Sequence, residues 1–191
     1  IKRKWMDLIR KRNRIPFATQ RPLDPRTGAK GQPAIDFDGL VNTIGLVGGN
    51  EMAQWHTGSQ LHESSEAVKI LVKLILEMQK YKKELESRTG VKLALARTPA
   101  ESTAQRFAVA DLLTADFHDN AQKLAKGDLG KAEHMLTQGE RDVPIYYNNG
   151  THVYVGANIG LVDRIETEQK FFPLLNGGNK IHEWIGEAQP D

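Results

Sequence analysis

The clearest periodic signal lies between residues 64 and 90. Val68, Leu71, Ile75, Met78 and Leu85 fall on one side of a 3.6-residue repeat, while Glu77, Lys80, Lys83, Glu84 and Glu86 fall mostly on the other. Ser64-Ser65-Glu66 supplies an opening and Gly90 a stop, so this span is predicted to be a helix packed on a sheet. Ile1, Trp5, Leu8 and Ile9 recur at helical spacing and predict an amphipathic helix over residues 1–13. From Arg14 to Gly39 the chain carries Pro16, Pro22, Pro25, Gly28, Gly31 and Pro33, the composition of an irregular connection. Leu40 to Val47 is a strand-type run closed by Gly48-Gly49, after which Asn50 is expected to cap a short helix reaching about His56.

The second half continues the alternation. Val91 to Ala96 is predicted to be a strand, followed by a helix from Thr98 to about Thr114 whose buried stripe is Ala104, Phe107, Ala108 and Leu112. Residues 116–140 are polar and interrupted by Gly127, Gly130 and Gly139, which fits two short helices. Leu161, Ile165, Glu168 and Phe172 fit a helix ended by Pro173 and Asn176-Gly177-Gly178, and Ile181 to Ile185 alternates as a last strand. Strands alternating with helices indicate an α/β fold with parallel pairing. The chain divides into a basic helix with its connection, 1–39, and a strand–helix region, 40–191.

The segment from Arg97 to Ala108 holds the most chemistry. Thr98 reads as an N-cap, Pro99 as a first helical residue whose missing N–H costs nothing, and Glu101 as the partner that closes a capping box. Ser102 and Thr103 add hydroxyls to the opening turn, and Arg97 puts a cation beside it. A strand that runs directly into a helix N-terminus gathers free N–H groups and partial positive charge at one point, which suits a phosphate. A capping box is equally a structural device, and the Glu101 carboxylate opposes an anion unless it folds back on the cap. Gly48-Gly49-Asn50 can likewise be read as a close ligand approach or as a tight strand-to-helix turn. Val143–Tyr147 and Thr151–Val155 alternate around Asn149-Gly150, the pattern of a hairpin.

Composition narrows the classes. Of 191 residues, 39% are hydrophobic and 26% charged, which suits a globular domain able to bury a core. The longest apolar run, Ile70 to Leu76, contains Lys73 and is too short to span a bilayer, and no signal peptide is visible, so a cytoplasmic location is expected. Residues 1–30 carry ten Lys/Arg against Asp7 and Asp24, a local charge of +8, and the remainder carries −6. Trp5 and Phe17 do not interleave with these charges as a base-stacking platform would, so the arm is read as a solvated face and nucleic acid is not expected. With no cysteine there is no disulfide, thiolate metal site or cysteine nucleophile in these residues. The six histidines lack zinc-binding spacing, and no metal site is expected.

Four stretches, in order, resemble the anaerobic (class III) ribonucleoside-triphosphate reductases of the glycyl radical enzyme family. Thr43-Ile44-Gly45-Leu46-Val47-Gly48-Gly49-Asn50-Glu51 is similar to a Gly-rich strand-to-helix segment ending in Glu. Thr98-Pro99-Ala100-Glu101-Ser102 with Arg106-Phe107-Ala108 resembles the substrate-phosphate loop, Tyr146 to Val153 a Tyr-Thr-Asn-Ser-x-His-Val strand, and Phe172-Pro173 with Gly177-Gly178 a late Phe-Pro…Gly-Gly segment. The resemblance implies the C-terminal part of a ten-stranded α/β barrel, with one barrel strand running through Asn148 in place of a hairpin. It implies that Thr98, Pro99, Ala100, Glu101, Ser102 and Thr103 hold the substrate's triphosphate, with Asn42, Asn50 and His152 as neighbours of the substrate site. Radical-based reduction of ribonucleoside triphosphates to deoxyribonucleotides is the implied reaction. The thiyl cysteine, glycyl radical loop and four-cysteine zinc site of the family cannot be placed here. The chain is therefore expected to be an internal segment, inactive alone, with no catalytic residue and no cofactor of its own. The implied partners are the rest of the parent polypeptide, a radical-generating activase and a second subunit, with nucleotide effectors acting on the parent enzyme. A non-catalytic nucleotide-binding module and a structural or interaction fragment are the two alternative readings.

Overall fold

A computed structural model describes residues 20–36 and 39–181, together with Lys4, Asp7, Leu8 and Lys11. The helix expected over 1–13 lies largely outside the described residues, as does the strand expected over 181–185 beyond Ile181. The chain forms two compact units, Ile1–Asn42 and Thr43–Asp191. In the first, residues 20–36 are irregular, as their prolines require. Leu23 and Lys30 form an isolated antiparallel bridge around a turn in which the Arg26 N–H donates to Asp24 Oδ1 at 2.8 Å. That bond is the first cause holding the Asp24 carboxyl below its usual range.

The ordered elements are β1 (Asn42–Gly45), α1 (Gly49–Thr57), α2 (Ser65–Thr89), β2 (Leu93–Ala96), α3 (Glu101–Leu113), α4 (Ala115–Leu124), β3 (Lys126–Gly127), α5 (Leu129–Thr137), β4 (Ile145–Tyr146) and α6 (Leu161–Glu168). A 3₁₀ turn, Gln169–Leu174, follows α6 directly, and Pro173 lies inside it, not at its end as expected. α2 follows its sequence closely: the Ser64 side chain accepts the Glu66 N–H, and Gly90 closes the helix in the left-handed region. Lys82 on this helix is buried. Its Nζ donates to the Leu93 carbonyl at 3.2 Å and pairs with Glu86 at 3.3 Å, and Glu86 accepts the Leu93 N–H at 2.8 Å, so β2 is tied to α2 at its first residue.

β1 pairs with β2 and β3 with β4, giving two separate two-stranded sheets and no closed barrel among the described residues; the β3–β4 pair is antiparallel, against the parallel pairing expected. The architecture is mixed α/β. Leu71 and Ile75 of α2 and Leu95 of β2 centre one apolar cluster, together with Val153 and Phe171. Burying each such side chain contributes about 1.5–3 kcal/mol. A second cluster joins Ala108, Val109 and Leu112 of α3 to Ala121, Val143 and Ile145. Phe107, expected in that stripe, is 53% exposed, because the side of α3 that is buried carries Ala104, Ala108, Val109 and Leu112.

Two local expectations are corrected, and the packing bears on a third. Asn50 does not cap α1. Gly48, at φ 79°, is the cap residue, and Asn50 is buried in the first turn, where its Oδ1 accepts the Leu61 N–H at 3.0 Å and its Nδ2 donates to Gln60 at 3.1 Å. The tight-turn reading of Gly48-Gly49 fits the packing: a Cβ on Gly49 would lie 2.6 Å from the Gly150 carbonyl oxygen, so the space is taken by the chain's own backbone. Finally, residues 143–155 form neither a hairpin nor one strand through Asn148, since β4 ends at Tyr146. The Gly48 N–H donates to the Asn148 carbonyl at 2.8 Å and the Gly150 N–H to that of Leu46 at 2.9 Å, so the segment's pairing here is a single antiparallel bridge between Val47 and Asn149. The carbonyls of Val153, Tyr154 and Val155 accept from the Arg164 guanidinium at 3.2–3.3 Å. Groups that a strand needs for its neighbours are already engaged.

Candidate functional site

The turn that opens α3 is built differently from a capping box. Ala100, at φ −109° and ψ 51°, is the N-cap, the helix starts at Glu101, and no side chain caps it. Thr98 lies two residues outside, with its side chain packed beside β1: a Cβ on Gly45 would be 2.3 Å from the Thr98 hydroxyl oxygen. That inward placement keeps the hydroxyl away from the helix N–H groups. It is buried and meets no partner among the described residues. Pro99 precedes the cap and is not the first helical residue. The Ala104 N–H bonds to the Ala100 carbonyl at 2.7 Å, but the N–H groups of Glu101, Ser102 and Thr103 precede the intrahelical ladder. Pro99, Glu101 and Ser102 are exposed, so the turn is open to solvent.

Beside this turn lies a cavity of about 690 Å³. Glu101, Ala104 and Gln105 of α3 form one wall, and Tyr146, Asn148, Asn149 and His152 belong to the facing one. The facing wall is held by side-chain bonds. The Tyr147 hydroxyl donates to Asp111 Oδ2 of α3 at 2.9 Å, and burial followed by that acceptor pushes the phenol above its usual range. Glu51 of α1 accepts the Asn148 N–H at 3.1 Å and also its side-chain amide. Burial dominates at Glu51 and raises its carboxyl above the usual range, against the opposing pull of Lys126 and the Asn148 bonds.

Arg97 does not offer its charge to the turn, contrary to the reading from sequence. Its side chain is fully buried and forms an ion pair with Glu168 of α6, itself 1% exposed. The other Glu168 oxygen accepts the Val153 N–H at 2.9 Å. Arg97 Nε donates to the His152 ring at 3.1 Å, and the guanidinium lies 5.6 Å from the centre of the Phe172 ring. Arg97 Nε is 3.1 Å from both ring nitrogens of His152, and Nδ1 also pairs with the Asn149 carbonyl, so with Nδ1 as the ring donor Nε2 is the acceptor for Arg97. The Arg97 N–H donates to the Gly178 carbonyl at 3.1 Å, and the Gly177 N–H to that of Leu95 at 2.7 Å. The stretches 146–153 and 172–178 therefore meet at Arg97, the residue just before the 98–108 stretch, and the 43–51 stretch reaches that same stretch through the packing of Gly45 on Thr98.

A family model described as anaerobic ribonucleoside-triphosphate reductase matches residues 1–191, the whole chain. The chain belongs to the anaerobic ribonucleoside-triphosphate reductase family. Among curated proteins none matches it. Of the reductase stretches, the opening turn of α3 contributes Glu101 to the cavity wall, and the residue 146–153 stretch contributes His152. Asn50, engaged with Gln60 and Leu61, does not line it, and Asn42, the first residue of β1, belongs to the first compact unit. Glu51 and Asn148 were within reach of sequence reasoning, since each stands in a family-like stretch. Glu168 carried no such signal: 71 positions separate it from Arg97.

The chain has no cysteine for a thiyl radical or a four-cysteine zinc site, and among the described residues no group of three or more His, Asp or Glu converges as metal ligands. No helix among the described residues is long and apolar enough to cross a membrane.

Proposed function

We propose that this chain supplies the substrate-phosphate turn of an anaerobic reductase that converts ribonucleoside triphosphates to deoxyribonucleotides. The supporting observation is the uncapped N-terminus of α3, open to solvent and forming one lip of the cavity. In this reading the residues Thr98 to Thr103 form the anion site. The N–H groups of Glu101, Ser102 and Thr103 and the hydroxyls of Ser102 and Thr103 donate to phosphate oxygens, and the helix dipole adds to the field. Hydrogen bonds to ionised groups contribute about 1.5–3 kcal/mol each, so three or four anchor a triphosphate without a lysine or arginine. The sugar and base then extend into the cavity towards Asn148 and His152. With no cysteine in this sequence, no radical step is assigned to these residues, which bind and orient the nucleotide. β1 and β2 are inferred to be strands of the glycyl radical barrel. The partners proposed are the rest of the reductase, its activase and a second subunit, in the cytoplasm.

Calorimetric titration with CTP and ATP tests the assignment. The wild-type chain is expected to bind, and Ser102→Ala/Thr103→Ala to weaken binding by tenfold or more, the equivalent of about one charged hydrogen bond. Equal affinity in the two proteins removes the phosphate-turn assignment.

A further inference from the structure

We propose that Arg97 and Glu168 are positioning residues that fix the phosphate turn of α3 relative to the facing cavity wall. The inference rests on the phosphate-turn reading above. Arg97 is the last residue before that turn, and its side chain points away from it into the protein. Through Glu168 it is joined to the Val153 N–H, and through Nε to His152, which lines the cavity. Its backbone N–H is held by Gly178, and Phe172 covers the guanidinium.

Gly150 completes the arrangement. A Cβ there would lie 2.8 Å from Arg97 Cγ and 3.2 Å from its Cα, so the backbone of the wall rests directly on the arginine. Arg97 thereby touches the β2–α3 junction, the 149–153 wall, the 3₁₀ turn after α6 and the Gly177-Gly178 loop. Its planar guanidinium can serve these contacts at once because its donors are set in a rigid fork.

A buried ion pair is weak as a source of stability compared with apolar side chains of the same size. Its directional bonds instead set geometry. A nucleoside triphosphate spans both surfaces, with phosphates on the turn and sugar and base against the wall. Inorganic tripolyphosphate touches the turn alone. Releasing the pair is therefore expected to penalise the nucleotide selectively, which a general loss of structure would not do.

The experiment compares CTP with inorganic tripolyphosphate on the full chain by calorimetry, for wild type, Glu168→Gln and Arg97→Lys, with far-UV circular dichroism as the folding control. Glu168→Gln keeps the side-chain shape and removes the charge. Arg97→Lys keeps a cation for Glu168 and removes the fork that also reaches His152. In each folded variant CTP is expected to bind about tenfold more weakly, the loss of roughly one hydrogen bond to an ionised group, with tripolyphosphate within about twofold of wild type. If Glu168→Gln fails to fold, Arg97→Lys decides. Equal weakening of both ligands, or unchanged CTP affinity in a folded variant, overturns the positioning role. A wild-type chain that holds neither ligand overturns the phosphate-turn reading, and this inference with it.

Discussion

Removing Glu168 should be among the most destabilising single changes in this chain. Glu168→Ala leaves the Arg97 guanidinium, fully buried, without its counter-ion, and leaves the Val153 N–H without an acceptor. Breaking a buried ion pair from one side costs about 3–5 kcal/mol, and an orphaned buried donor costs about 1–3 kcal/mol. The two penalties share one side chain and overlap, so a loss of about 4–6 kcal/mol is expected. Domains of this kind hold about 5–15 kcal/mol in total, so the variant should sit close to the unfolding threshold. Urea titration followed by far-UV circular dichroism measures it. The double variant Arg97→Met/Glu168→Leu removes both charges together and should be less destabilised than Glu168→Ala by at least about 2 kcal/mol, because no naked charge remains. A Glu168→Ala chain within about 1 kcal/mol of wild type would refute the reasoning, since that is the range of an exposed pair.

Two further outcomes follow from the same region. Gly150→Ala places a methyl group against Arg97 at a backbone φ of 53°, so it should lose about 1–3 kcal/mol and lower the melting temperature by roughly 2–4 °C for each kcal/mol; an unchanged melting temperature would contradict the close packing. Glu51 has a folded-state carboxyl raised by burial above its ordinary value of 4.5, so its stabilising contribution is complete below that value and is lost as pH rises through the folded one. Melting curves from pH 4 to 7 should therefore show the wild-type advantage over Glu51→Gln shrinking as pH rises, and an advantage that grows instead would show that the carboxylate is favoured by its bonds to Asn148.

Local signals carried far and long-range ones did not. α2 was legible from end to end, because its stripe, its Ser64 cap and its Gly90 stop all lie within one stretch of sequence. The two short helices between residues 115 and 137 were legible for the same reason. The Thr98 cap misled because the same residues satisfy two geometries, and only β1, more than fifty positions away, draws the threonine inward. Phe107 misled because hydrophobicity alone does not choose between its side of α3 and that of Ala108. In α6 the usual pattern is inverted: Arg164 and Glu168 are buried, whereas Leu161 and Val162 are at least half exposed. Their burial is decided by carbonyls and a guanidinium supplied by distant segments, which no periodicity encodes. The cavity was legible in part. Its Glu101 and His152 stand in family-like stretches, whereas the pairing of β4 with the two-residue β3 depends on a register that only the folded chain displays.

The most direct measurement of where the triphosphate lands is a ¹H–¹⁵N amide spectrum of the chain titrated with CTP. The resonances of Glu101, Ser102 and Thr103 should move furthest and saturate together, with Asn148 and His152 following as the sugar and base enter the cavity. Saturable binding that leaves those three amides in place would contradict the account.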